Sequence, residues 1–277
     1  MAHKFSIRKT KRLRPLLARA YKPGEPPDPS ESLLDQVVAA VLWVDAPPAK
    51  ARQAHAKLAE EFVDWNELRV SMTTEAGGVL EACGLSAMKA AALKRILGKA
   101  VEEFYCFDFE ALATRPREKL RNWFLSIEGL PHAIAGSVLY HVFHYDRVLA
   151  DADIARAVRR LGLADETATE AEIEEGLSDV IPAREAQFTY EALRQHAISV
   201  CVAEGFDCRP CPLRKECATA PRRLAELEAA ARKAKRQKAK ARPAAKAKPK
   251  VEAKGTGEPR KARPKRPSRR RTPRGKS

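Results

Sequence analysis

The sequence predicts an all-α protein, and three observations carry that expectation. Through the middle of the chain, apolar residues recur at the three-to-four-residue spacing of one helix face. No run alternates apolar and polar residues between turn signals, as a half-buried strand does. Only Pro116, Pro131 and Pro182 interrupt residues 49 to 209. Roughly eight to ten short helices around a buried core follow from this pattern.

In chain order, Leu33, Leu34, Val37, Val38, Val41 and Leu42 define the first amphipathic helix, and Leu93, Ile96, Leu97, Val101 and Phe104 define the next. Residues 120 to 139, LRNWFLSIEGLPHAIAGSVL, read as two helices joined at Ile127-Glu128-Gly129-Leu130-Pro131. Gly129 supplies the turn, and Pro131 suits the start of the following helix. Taken alone, this is also the pattern of an ordinary helix-helix turn. Asp151 precedes Ile154, Ala157, Val158 and Leu161 and is a predicted N-cap. Asp153 falls in the first turn, where the helix dipole favours negative charge. A further helix follows from Ile173, Leu177, Val180 and Ile181. Residues 224 to 241 are good helix formers and read as a transient helix, which the repeated prolines beyond Arg242 end. Trp43, Trp65, Trp123, Cys83 and Cys106 sit in apolar patterns and are assigned to the core.

The charge is segregated. Of a net +16, residues 1 to 29 carry +6 and residues 221 to 277 carry +19, which leaves −9 on residues 30 to 220. An acidic body between two basic arms is the expectation. The C-terminal arm is nearly devoid of apolar residues and is predicted to be disordered. Such a tail binds polyanions by phosphate neutralisation and counterion release, or serves only as a solubilising segment. No stretch approaches the roughly 20 apolar residues of a membrane span, and the opening MAHKFSIRKTKRLRP lacks a secretory apolar run. A cytoplasmic protein is expected.

Four of the six cysteines, Cys201, Cys208, Cys211 and Cys217, fall in the stretch CVAEGFDCRPCPLRKEC. Four thiols so close together in a cytoplasmic chain point to a metal rather than to disulfides. Zinc ribbons use two tight knuckles. Here one tight pair is flanked by wider loops, which suits an iron-sulfur cubane better, with zinc or unligated thiols as the alternatives. Arg209, Arg214 and Lys215, interleaved with these cysteines, read as a phosphate-facing patch or as a solvated loop. His141 and His144 share a helix face without a third ligand, so no metal is assigned there.

This cysteine spacing resembles the iron-sulfur loop of endonuclease III and the adenine glycosylases, members of the helix-hairpin-helix DNA glycosylase superfamily. Residues 120 to 139 resemble that family's helix-hairpin-helix, VLADADIARAVRRLGL (148 to 163) resembles the segment with its catalytic aspartate, and GLSAMKAAALKRI (84 to 96) resembles its Gly-Leu-x-x-x-Lys helix start. The match runs over about residues 30 to 217 and keeps the family's order.

The resemblance implies a two-lobed fold: a helical barrel lobe at 30–146 with the hairpin, and an iron-sulfur lobe at 147–218 joined by the N-terminal segment. A basic arm at 1–29 and a disordered basic tail at 219–277 flank them. It places catalysis on Asp151, a [4Fe-4S] cluster on the four cysteines, and double-stranded DNA at Gly129, Leu130, His132, Arg209, Arg214 and Lys215. The implied activity is base-excision repair by a monomeric, nucleoid-associated N-glycosylase that flips a damaged or mismatched base. Two departures bear on mechanism. Where bifunctional members carry the Schiff-base lysine, this chain has Ala133, and Pro131 replaces the hairpin's second glycine. Asp45 aligns with the family's gap-filling glutamine. These departures favour hydrolysis without lyase activity. The alternatives are a non-catalytic iron-sulfur protein that recognises distorted duplex and a nucleoid or RNA-associated protein dominated by its basic arms.

Overall fold

The computed structural model describes residues 5–22 and 32–240. Among them are thirteen α-helices and no strand. The chain divides into two compact units, Met1–Ala231 and Arg232–Ser277. The predicted disorder beyond Arg242 lies outside the described residues.

Helix α1 (Ile7–Ala20) precedes α2 (Leu33–Trp43), in which Val37, Val38, Ala40, Val41 and Leu42 have no exposure. Burying each of the larger of these stabilises the fold by about 1.5–3 kcal/mol. The start of α2 is fixed by Ser32, whose hydroxyl accepts the Asp35 N–H at 3.1 Å. Proline at its first position opens α3 (Pro48–Glu61). Helices α4 (Trp65–Val70), α5 (Thr73–Ala82), α6 (Met88–Phe104) and α7 (Phe109–Ala113) complete the first half, with α2 packed on α3, α6 and α7.

Two helices, α8 (Arg117–Leu125) and α9 (His132–His141), form a hairpin, and α9 lies against α2. Next come α10 (Ala152–Leu161), α11 (Glu170–Val180) and α12 (Ala186–Ser199), with α10 packed on both of its successors. A capping box at Thr169 and Glu172 sets the start of α11. Finally, α13 runs over Ala220–Lys240, starting four residues before the predicted segment.

The N-terminal segment, expected as a basic arm joined to the second lobe, forms α1, which packs on α11 and α12 through buried Leu13 and Leu17, with Tyr21 buried just beyond it. Arg12 and Arg14 pair with Glu216 and Glu185. The helix count exceeds the prediction because α4 and α7, of six and five residues, are too short to show a period. Cys106 is exposed, and Trp43 and Trp65 are only partly buried, whereas Cys83 and Trp123 do lie in the core. Among the described residues, no helix is long and apolar enough to cross a membrane.

Candidate active site

The hairpin between α8 and α9 turns at Gly129, whose φ of +70° is a left-handed conformation that disfavours a side chain. The Leu130 N–H closes this turn onto the Ile127 carbonyl at 3.1 Å and is not free for a ligand. Pro131, just before α9, has no N–H to offer. That leaves the N–H groups of His132 and Ala133, in the first turn of α9, as donors without intrahelical partners. Arg95 of α6 adds a cation beside Gly129, its guanidinium packed where a Gly129 side chain would stand.

Asp151 caps α10 in an extended conformation, and its Oδ1 accepts the Ile154 N–H at 2.8 Å. Its Oδ2 lies 3.9 Å from Nδ1 of His132, the first residue of α9. Burial holds His132 below the usual histidine range, opposed by the Asp151 charge, and its Nδ1 is closed from solvent without a hydrogen bond among the described residues.

The strap leading into Asp151 is fastened from three sides. Val148 N–H donates to the Ser178 hydroxyl at 3.0 Å, Leu149 N–H to the Tyr140 hydroxyl at 2.9 Å, and Ala150 N–H to Glu174 Oε2 at 3.3 Å. Glu174 is buried and held in a two-pronged pair by Arg121 of α8, at 2.6 and 2.9 Å. Removing one member of such a pair strands the other charge and costs about 3 kcal/mol or more. Arg121→Met is therefore expected to lower the thermal unfolding midpoint by about 6–12 °C, read by circular dichroism. A shift under 1–2 °C, about what 0.5 kcal/mol gives, would show that the pair does not hold the strap.

A cavity of about 440 Å³ opens between α2, α9 and α12. Trp43, Ala133, Tyr140, His141, Tyr190, Glu191 and Arg194 are among its lining residues. Asp45 follows α2 with a left-handed φ of +53°, and its two oxygens accept from the two terminal nitrogens of Arg194 at 2.9 and 2.7 Å. That pairing holds the Asp45 carboxyl below its usual range. Close by, Lys89, the lysine of the Gly-Leu-x-x-x-Lys start, donates to the carbonyls of Leu42 and Val44 at 2.5 Å each and so ends α2. Burial lowers Lys89 to about 8, against the opposing pull of Asp45. Trp43 and His141, expected to be bland, thus line the cavity, and α12, which sequence reasoning did not single out, adds Glu191 and Arg194 to its charged lining.

Cys201, Cys208, Cys211 and Cys217 line one small cavity with His196 and Phe206. Among the described residues, no three His, Cys, Asp or Glu side chains are arranged to hold a single metal ion. A lone zinc needs its sulfurs gathered about 2.3 Å from one centre, whereas a cubane presents four separate irons to four thiolates. Four thiols around one cavity are the number and kind of donor that such a cluster takes. Burial first, and then the neighbouring thiols, push Cys211 up to about 11, a penalty on ionisation that a polycationic core removes.

The loop has an anchor invisible in the motif. Arg160 of α10 donates to the carbonyls of Cys201, Val202 and Ala203 at 3.2, 2.7 and 2.9 Å and stacks on Phe206 at 3.9 Å. Tyr21 reaches the same region, its hydroxyl 2.6 Å from Nδ1 of buried His196. Of the predicted cations, Arg209 is folded onto Asp207, with a closest approach of 2.5 Å, and Arg214 donates to the Arg209 carbonyl. Lys215 shows no such contact among the described residues.

Helix order, hairpin and capped aspartate together define the helix-hairpin-helix glycosylase fold. Endonuclease III in a trapped covalent intermediate with DNA shares it with a TM-score of 0.56 at 18% identity, over 80% of this chain and 100% of that one. Endonuclease III in a non-covalent DNA complex gives 0.57 at 18%, with the same coverage. A thermostable thymine-DNA glycosylase gives 0.52 at 16%, over 78% of this chain and 98% of that one. In sequence, DEMETER-like protein 2 of Arabidopsis thaliana is 25% identical over 174 residues, which are 57% of this chain but only 13% of that protein. No protein-family model matches.

Proposed function

We propose that this protein is a DNA N-glycosylase of base-excision repair that hydrolyses the glycosidic bond of a flipped base and lacks lyase activity. One observation carries the reading: Asp151, fixed as a cap at the end of a fastened strap, stands beside α9, where Ala133 rather than a lysine faces the cavity. Duplex DNA would lie between a barrel lobe at 30–146 and a lobe joining the N-terminal helix to 147–218. Phosphate contacts would come from the first turn of α9 and from Lys215, and the basic tail would hold the protein on the nucleoid. The chain acts as a monomer.

In the reaction, the C1′–N bond breaks and its electron pair leaves with the base, whose nitrogen takes up a proton. Water bonds to C1′ and loses a proton. The Asp151 carboxylate stabilises the oxocarbenium-like sugar and orients or deprotonates that water through Oδ2, because Oδ1 is committed to the cap. Burial disfavours a positive charge on His132 and so works against its pairing with that carboxylate. Cys201, Cys208, Cys211 and Cys217 would hold a [4Fe-4S] cluster that serves as a structural staple for the loop, away from the reacting atoms.

The test is a panel of duplexes with defined lesions and mismatches, incubated with the protein and then treated with alkali. Strand breaks are expected only after alkali, and borohydride is expected to trap no covalent adduct. Binding without any base release would select instead the non-catalytic reader of distorted duplex. A borohydride adduct would mean that an amine reacts; among the described residues Lys22 is the one lysine lining the cavity, and an adduct lost in Lys22→Ala would move the reaction centre there.

A further inference from the structure

Glu191 and Arg194 stand one helical turn apart on α12 and line the same cavity, but their electrostatic situations differ. Asp45 occupies one N–H on each terminal nitrogen of Arg194 and holds the guanidinium in place, leaving its remaining N–H groups to donate. Glu191 has no such partner. Gln187 donates to its Oε1 at 3.0 Å, and His141 Nε2 lies 3.4 Å from the same oxygen. Burial lowers His141 to about 4, so it brings no charge at neutral pH. The second oxygen, Oε2, accepts no hydrogen bond among the described residues. The result is a half-buried carboxylate with one oxygen open at the cavity and no cation hydrogen-bonded to it among the described residues, and burial pushes Glu191 up.

A second group waits in the same wall. Tyr190 is 3% exposed, and its hydroxyl is closed from solvent with no partner among the described residues. Gly136 of α9 leaves the space this ring occupies, since any side chain there would strike it. An open acceptor, a clamped donor and a buried hydroxyl without a partner among the described residues, all around one cavity, describe a recognition surface.

The order of donor and acceptor selects the ligand. A carboxylate with open lone pairs takes adjacent N–H donors, and a guanidinium takes an acceptor beside them. Guanine presents that edge: O6 accepts, and N1–H and the 2-amino group donate. Adenine and cytosine each place a ring-nitrogen acceptor next to their amino group, which a carboxylate repels. Uracil and thymine offer a single N–H between two carbonyls. We propose that Glu191 and Arg194 read a flipped guanine-type base, meaning guanine or a lesion that keeps its 6-oxo, N1–H and 2-amino groups. The proposal rests on the glycosylase reading and names the substrate class of that same cavity.

The test measures binding apart from cleavage. Duplexes carry guanine, 8-oxoguanine, hypoxanthine, adenine or uracil on a 2′-fluorinated sugar, which resists glycosidic cleavage. Each base stands opposite an abasic spacer, so flipping breaks no base pair. Guanine and 8-oxoguanine are expected to bind about 5- to 150-fold more tightly than hypoxanthine, the discrimination of one good two-pronged contact. Glu191→Gln, isosteric and checked for an unchanged melting temperature, is expected to abolish that difference.

Equal wild-type affinity for all five, or a preference that survives Glu191→Gln, overturns the proposal. The unfluorinated duplexes separate it from the reading beneath it. Selective binding with no base release upholds recognition by Glu191 and removes the glycosylase. Release without guanine selectivity keeps the glycosylase and removes the proposal.

Discussion

Asp151→Asn is expected to abolish base release, by about 10²–10⁴-fold, while duplex affinity and folding stay as in the wild type. The variant separates two roles of one side chain. As a cap, Asp151 offers Oδ1 to the Ile154 N–H at 2.8 Å, and the asparagine carbonyl does the same at a cost of a few tenths of a kcal/mol. As a reacting group it offers negative charge through Oδ2, and asparagine has none. Asp151→Ala removes both and is expected to destabilise α10 by about 1 kcal/mol as well. Single-turnover assays on a responsive duplex, with affinity measured in parallel, give the answer. Base release by Asp151→Asn within a few-fold of wild type would leave Asp151 as a helix cap only and return the chemistry to another residue. The Asp45–Arg194 pair already neutralises Asp45, and Glu191 would be next to examine.

How far the sequence discloses this site depends on whether a feature is local. The cap at Asp151 is legible because it needs only the apolar period of the next ten residues. The course of α2 is legible because its apolar face is continuous. By contrast, the helix in the N-terminal segment is hard to read because its basic residues and Pro15 mask the apolar period of Leu13 and Leu17, which enter the core. The Asp45–Arg194 pair joins residues 149 apart, and no spacing rule reaches that far. Glu191 is an ordinary helix-face acid until the cavity exists around it. Arg160 reads only as a cation suited to the end of α10, and its hold on the cysteine loop appears once Cys201, Val202 and Ala203 turn their carbonyls toward it. The sequence assigns His141 no role, and its neighbours Gln187, Glu191 and Trp43 come together only in the fold.

The protein is expected to purify brown, with roughly four irons per chain, and Cys208→Ser is expected to lose both the colour and much of the soluble yield. The loop from Cys201 to Cys217 contains no regular helix or strand, and its own side chains form no core beyond Leu213 and the cysteines. Its order therefore depends on what crosses it. Arg160 and Arg223 clasp Phe206 from two helices, Tyr21 and His196 support Cys201 from below, and the Cys201 N–H returns to the His196 carbonyl at 2.8 Å. These contacts tie the first part of the loop, from Cys201 to Phe206, while Cys208 and Cys211 would depend on a cluster held by their thiols. Arg160→Ala, which leaves all four cysteines intact, is the complementary variant. It is expected to keep iron under anaerobic conditions but to lose it more readily to chelators, because the carbonyls of Cys201, Val202 and Ala203 are no longer fastened. Metal analysis after anaerobic purification decides the matter: stoichiometric zinc without iron, or a colourless Cys208→Ser variant with undiminished yield and stability, would leave the loop held by Arg160 and Phe206 alone.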